Sequence, residues 1–217
     1  LSNVVSSAIL YRRLRKTDQY IHVDPKRFAI HWGIFRQILR IGLPAGIQSA
    51  VFAVSNIVIQ SAINSLGTIV MAASSAALNI EIIAYYVMNS FSQACATFVG
   101  QNYGAGQVKR CRKILGLCIL EDAIATASAI FIILFAGKFV LALFNPDPQV
   151  IDIGYSRLLI VFTAYVFSML YEVMSGYLRG FGISLVPALL VILGVCGVRI
   201  FWIFCIFPLT RAFSTIM

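Results

Sequence analysis

Charge is scarce in this chain. Only 12% of the residues are charged and 60% are apolar, and the mean hydropathy is +0.89. A soluble domain is about a quarter charged and about half apolar, so the composition excludes an ordinary water-soluble fold. The apolar stretches are continuous, which excludes the alternating pattern of a membrane β-barrel. We therefore predict an all-α integral membrane protein.

Patterns that bind metals or carry out catalysis are also missing from the sequence. His22 and His31 both lie in a basic stretch, and no pair of the five cysteines has Cys-x-x-Cys spacing. No Ser/His/Asp or Cys/His arrangement is visible. We therefore predict that the protein is not an enzyme and has no metal site and no cofactor.

Five long apolar stretches dominate the sequence instead. Each has about the 20 residues that a helix needs to cross a bilayer. They cover residues 43–63, 69–99, 114–135, 153–173 and 185–207. Together they leave little room for a soluble domain, so the predicted partner of most of the surface is the lipid bilayer.

Basic residues mark alternate connections between these spans. They cluster before the first span, at residues 109–113 and at Arg179, whereas the connection at 65–68 is uncharged and the other carries Asp147 and Asp152. This is the positive-inside pattern of membrane proteins. The basic connections are therefore predicted to be cytoplasmic. The net charge of +9 then reflects membrane orientation, and no nucleic-acid partner is predicted.

The spans divide the chain into four parts. Residues 1–11 resemble the end of a preceding transmembrane helix, and residues 208–217 resemble the start of the last one. Residues 12–40 form a basic cytoplasmic linker, and residues 41–207 hold the five transmembrane helices. We expect the chain to be a piece of a longer protein.

The end of the linker has the pattern of an amphipathic helix. Phe28, Trp32, Phe35 and Leu39 recur at helical spacing, which predicts a helix on the membrane surface; a plain linker is the alternative. The first span is predicted to start just after it. Pro44 would then fall in the first turn, where the missing N–H costs least.

Amide side chains interrupt the first span at multiples of four residues. They are Gln48, Asn56, Gln60 and Asn64. Each four-residue step drifts by about 40° around a helix, so the last three share one stripe and Gln48 lies off its edge. Amides that face lipid lose hydrogen bonds. The stripe therefore either lines a substrate path or makes hydrogen bonds between helices.

Glu81 and Glu172 are the candidate residues for cation or proton coupling. Glu81 lies roughly 18 Å into the second span by helical rise, where an ionised carboxylate is costly unless it is paired or hydrated. It either carries H⁺ or Na⁺, or is a structural partner of Asn56 or Gln60. Glu172 shares nearly one helix face with Arg179, so it is either functional or paired with a base.

Three further charged residues lie within the spans. Glu121 and Asp122 are adjacent and cannot face the same direction, and we favour a structural role for both. We identify Arg199 as the only cation deep in an apolar stretch. It either snorkels outward or pairs with a carboxylate.

Several short motifs carry a family resemblance. They are IGLP at residues 41–44, SNIVIQ at 55–60, GQNYGA at 100–105, YLRGFG at 177–182 and GVRIFW at 197–202. In order and spacing they resemble the second lobe of the multidrug and toxic compound extrusion (MATE) family of secondary transporters. The resemblance implies one six-helix lobe, partly truncated at both ends, of a twelve-helix two-lobe transporter.

The resemblance also implies a function. A MATE protein would be a multi-pass protein of the cytoplasmic membrane that exports small organic, often cationic, compounds in exchange for H⁺ or Na⁺. The N-terminal lobe of the same full-length protein would be its partner. Some members carry an acid where this chain has Phe52, so Glu81 and Glu172 are the available replacements. A lipid-linked precursor flippase, a membrane-embedded enzyme and a non-transporting scaffold remain alternatives.

Overall fold

The computed structural model describes residues 2–17 and 29–210, and these residues form helices joined by short turns. The five longest helices are α1 (Ser2–Lys16), α2 (Trp32–Asn64), α3 (Thr68–Gly104), α4 (Val108–Ala142) and α5 (Pro148–Gly180). The next span consists of α6 (Leu185–Leu190), a π-helical turn (Val191–Gly197) and α7 (Val198–Cys205), and α8 (Phe207–Thr210) follows.

Five of these helical segments are long and apolar enough to cross a membrane. They are α2, α3, α4, α5 and the combined segment Leu185–Cys205. The predicted all-α membrane fold with five spans is therefore confirmed. The long helices α2 to α5 extend beyond the apolar stretches at one or both ends, because polar residues continue the same helical hydrogen bonding outside the apolar part.

The described residues divide into two compact units, one up to Leu39 and the other from Arg40 onward. In the first unit, α1 has no buried residue. The Trp32 and Phe35 rings pack edge to face with centroids 5.6 Å apart. Of the residues that predict an amphipathic helix, Phe28 lies outside the described residues, and Trp32, Phe35 and Leu39 are exposed.

The predicted position of Pro44 is wrong. α2 begins at Trp32, so Pro44 lies in the interior of the helix rather than in its first turn. Proline has no N–H to donate to the carbonyl four residues earlier, which is that of Arg40. The Ser184 hydroxyl donates to this carbonyl at 3.2 Å. A hydrogen bond from a distant part of the chain thus lets the helix continue through the proline.

The core of the second unit lies between α3, α4 and α5. One apolar cluster includes Ile80, Leu158 and Phe162. A second includes Cys95, Val99, Cys111, Cys118 and Val173. The second cluster lies toward the turns 105–107 and 181–184. We call this the basic end, because the basic residues 109–113 and Arg179 are also there.

Glycines allow α3 and α5 to approach closely near the basic end. A Cβ on Gly176 would clash with the Ser92 carbonyl, and one on Gly180 would lie 2.7 Å from the Val99 Cβ. The Ser92 hydroxyl donates to the Glu172 carbonyl at 2.7 Å. This contact fixes the register of the two helices that carry Glu81 and Glu172.

Candidate functional site

Glu81 forms a bidentate ion pair between α3 and α5. The Arg157 Nε and Nη2 donate to the two carboxylate oxygens of Glu81 at 2.7 and 3.1 Å, and its Nη1 donates to the Ser74 hydroxyl at 2.6 Å. The Tyr165 hydroxyl donates to the Glu81 carbonyl at 3.1 Å. The Arg157 and Glu81 side chains are only 10% and 12% exposed. The pair is therefore a nearly dry, charge-balanced link between two spans.

Arg157 is the residue that sequence analysis missed. The statement that Arg199 is the only cation deep in a span is wrong, because Arg157 lies within the predicted fourth span. The carboxylate of Glu81 binds Arg157 rather than the alternative partners Asn56 or Gln60. An arginine and an acid in two spans are a signal for an ion pair. Sequence does not show that these two residues meet, since 76 positions separate them.

The predicted amide stripe lies on α2. The Gln60 Nε2 donates to the Asn64 Oδ1 at 2.9 Å. The Arg199 Nη1 donates to the Asn56 Oδ1 at 3.4 Å. The Arg199 guanidinium lies 5.4 Å from the Phe52 ring centroid. Arg199 thus contacts an amide and an aromatic ring, which neither sequence interpretation of this residue included.

Glu172 belongs to a second polar cluster nearer the basic end. It lies beside Tyr85 of α3 and within electrostatic range of Arg179, and Gln48 of α2 lies beside Tyr171. The Glu172 Oε2, the Arg179 Nε and the Gln48 Oε1 are buried without a hydrogen-bond partner among the described residues. Gln48 therefore lies apart from the amide stripe and joins the Glu172 cluster.

The two adjacent acids of α4 have opposite environments. Glu121 is exposed, whereas Asp122 is 0% exposed. The Thr126 hydroxyl lies 3.5 Å from the Asp122 Oδ1, and the Asp122 Oδ2 has no hydrogen-bond partner among the described residues. The prediction that the two side chains face different directions agrees with this arrangement.

The family model described as MatE matches residues 44–205, which include both polar clusters. The chain belongs to the MatE family. This confirms the MATE resemblance. Members of this family are transporters rather than enzymes, and the relatives that the chain matches are named as multidrug resistance proteins.

Two curated relatives illustrate the similarity of this MatE chain. It is 28% identical over 159 residues to the probable multidrug resistance protein NorM of Chromobacterium violaceum. The aligned region covers 73% of the chain and 34% of the relative. The chain is 34% identical over 168 residues to the multidrug resistance protein PmpM of Pseudomonas aeruginosa, with 74% and 34% covered. The chain thus spans about a third of the length of these relatives.

Solved structures show the same fold. A crystal structure of MATE in the bent conformation superposes with a TM-score of 0.82 at 19% identity, covering 98% of the chain and 48% of the solved one. A crystal structure of a MATE mutant gives a TM-score of 0.83 at 19% identity, covering 98% and 47%. The chain is therefore a multi-pass membrane protein with the fold of one lobe of a two-lobe transporter.

Proposed function

We propose that this chain is one lobe of a secondary antiporter of the cytoplasmic membrane. The full protein would export organic, often cationic, compounds in exchange for H⁺ or Na⁺, and its N-terminal lobe would form the opposite wall of the substrate path. Membership of the MatE family supports transport of drug-like molecules. The observation that carries the coupling mechanism is the ion pair of Glu81 and Arg157 between α3 and α5.

Glu81 couples ion binding to helix packing by exchanging its partner. Arg157 uses both carboxylate oxygens of Glu81, so a proton or Na⁺ on this carboxylate competes with the guanidinium. Binding of the ion weakens the link between α3 and α5 and favours a second arrangement of the two helices. A ligand shifts such an equilibrium only through its different affinities for the two states. A cationic substrate would favour the state that the coupling ion disfavours.

The amide stripe and the Glu172 cluster mark two parts of the path. Asn56 and Asn64 are exposed on α2, where they offer hydrogen bonds to substrate together with Gln60. Gln48 lies with Glu172 nearer the basic end, which the charge pattern predicts to be cytoplasmic. Glu172 is the second coupling candidate, because the Oε2 of its carboxylate is buried without a hydrogen-bond partner among the described residues.

The test uses the full-length parent in vesicles with separately imposed H⁺ and Na⁺ gradients. The decisive variant combines Glu81→Gln with Arg157→Gln, because removing both charges leaves no unpaired buried charge while it also removes the ion-binding carboxylate. We expect the wild type to export a fluorescent drug cation under one gradient and the double variant to lose gradient-driven export while remaining folded. Glu121→Gln removes an exposed acid and serves as the matched control.

Two results would contradict the proposal. Gradient-driven export that is unchanged in the folded double variant would remove Glu81 from the coupling mechanism. A folded wild-type protein that exports nothing under either gradient would favour the lipid-linked precursor flippase, and lipid-linked substrates would then be tested in the same vesicles.

A further inference from the structure

Asp122 is an interior acid without the partners that a buried carboxylate needs. Its side chain is 0% exposed, and its Oδ2 accepts no hydrogen bond among the described residues. The ion pairs found among those residues join Glu81 to Arg157 and Lys138 to Asp152, and neither includes Asp122. An unpaired ionised carboxylate in such surroundings is costly. The arrangement therefore favours a carboxyl group that holds a proton.

Within residues 2–17 and 29–210, the groups that act on Asp122 add no compensating positive charge. On α4 its neighbours on the same face are Cys118 one turn earlier and Thr126 one turn later. From α3 the Cys95 thiol lies beside that of Cys118. From α5 the charged group within electrostatic range is Glu172. Asp122 thus faces thiols, a hydroxyl and a second acid.

Glu172 differs from Asp122 in lying near a positive charge. It is only partly buried, lies beside Tyr85 and is within electrostatic range of Arg179. An anion is therefore better tolerated at Glu172 than at Asp122. Two acids within electrostatic range titrate as a pair, because ionisation of one opposes ionisation of the other.

We propose that Asp122 and Glu172 form an inner proton-binding pair, in which Glu172 exchanges the proton with the path and Asp122 stores it inside the lobe. In the transfer step the proton leaves the Glu172 carboxyl oxygen and binds the Asp122 carboxylate. Glu172 becomes the anion and is balanced by Arg179. The inference rests on the proposed antiport, which supplies the proton, and it adds a residue of α4 to the coupling machinery.

The pair is spatially distinct from the link between Glu81 and Arg157. Tyr165 contacts the Glu81 carbonyl, and Glu172 lies seven residues farther along α5 toward the basic end. Helical rise places it roughly 10 Å beyond that contact. The lobe thus has two acidic positions at different depths, one between α3 and α5 and the other between α4 and α5.

The first experiment reads protonation directly, without any transport. The infrared spectrum of the purified full-length protein at neutral pH is compared for the wild type, Asp122→Asn and the adjacent exposed control Glu121→Gln. We expect the absorption band of a protonated buried carboxyl group to disappear in Asp122→Asn and to persist in Glu121→Gln. A band that is unchanged in folded Asp122→Asn overturns the proposal.

The second experiment measures protons released when a drug cation is added to the same proteins in weakly buffered detergent solution. We expect about one proton fewer per Asp122→Asn molecule than for the wild type, with Asp122→Glu restoring the release. If Asp122→Asn does not fold, the same measurement is made on Glu172→Gln. A pH profile of proton release that is the same in Glu172→Gln and in the wild type overturns the pairing. A wild type that binds the drug but shows no gradient-driven export contradicts the proposed antiport instead.

Discussion

Removing one member of the pair of Glu81 and Arg157 should destabilise the protein far more than breaking an ion pair on the surface would. Arg157→Gln leaves the Glu81 carboxylate, which is 12% exposed, without its two donors. Glu81→Gln leaves a guanidinium whose remaining partner is the Ser74 hydroxyl. Breaking a buried pair in this way costs about 3–5 kcal/mol, because an uncompensated charge stays in a medium of low polarity.

Removing both charges should cost much less than the sum of the two single changes. The desolvation cost of the charges disappears together with their attraction. We expect the double variant Glu81→Gln with Arg157→Gln to lose less stability than the sum of the two single losses. The difference, which is the coupling free energy, should be at least about 2 kcal/mol, within the range found for residues in direct contact. Arg157→Gln should be the worse single change, because it also removes the hydrogen bond to Ser74.

The assay is a double-mutant cycle on unfolding of the full-length parent in detergent. The ion pair of Lys138 and Asp152 is a matched control, since its 2.7 Å distance equals that from the Arg157 Nε to the Glu81 Oε1. Its side chains are 60% and 67% exposed, so solvent should screen the pair and its coupling should be much weaker than that of Glu81 and Arg157. Additive effects within about 0.5 kcal/mol at Glu81 and Arg157 would refute the reasoning that burial makes this pair strong.

Two stability predictions concern helix packing and helix capping, and both are measured by thermal unfolding of the full-length parent. Gly176→Ala should cost about 1–3 kcal/mol, because the new Cβ meets the Ser92 carbonyl and hydroxyl; Gly116→Ala, with nothing within 4 Å, is the control. An equal effect of the two changes would contradict the close contact of α3 and α5. Asp147→Ala should cost about 1 kcal/mol, because the Asp147 carboxylate accepts from the Gln149 N–H at 2.9 Å. Asp147→Asn should retain most of this stability, and a loss equal to that of the alanine variant would argue against a capping role.

The sequence predicted the class of protein and the positions of the spans well. A run of about 20 apolar residues crosses a bilayer whatever its neighbours are, so α2 to α5 and the last span were found without tertiary information. The first span differed only in where its helix begins. Pro44 marked a plausible start, yet Ser184 donates to the Arg40 carbonyl from 144 positions away, and such a contact leaves no local signal.

The candidate site was predicted less completely. Local spacing placed Glu81 deep in a span, and the position of the residue alone indicated that its charge needs a partner. Arg157 is visible within the predicted fourth span, but its pairing with Glu81 was not predicted, because helical periodicity describes the faces of one helix and does not show which face of α5 meets α3. The close approach at Gly176 decides that register.

Asp122 shows the same division between sequence and structure. From the sequence alone, Glu121 and Asp122 are equivalent neighbours that must point in different directions. Only the packing of α4 against α3 and α5 decided that Asp122 is buried and Glu121 exposed. Hydropathy is a sum over consecutive residues, so the sequence alone determines it. The pairing of buried charges depends on which helices touch and how each helix is rotated.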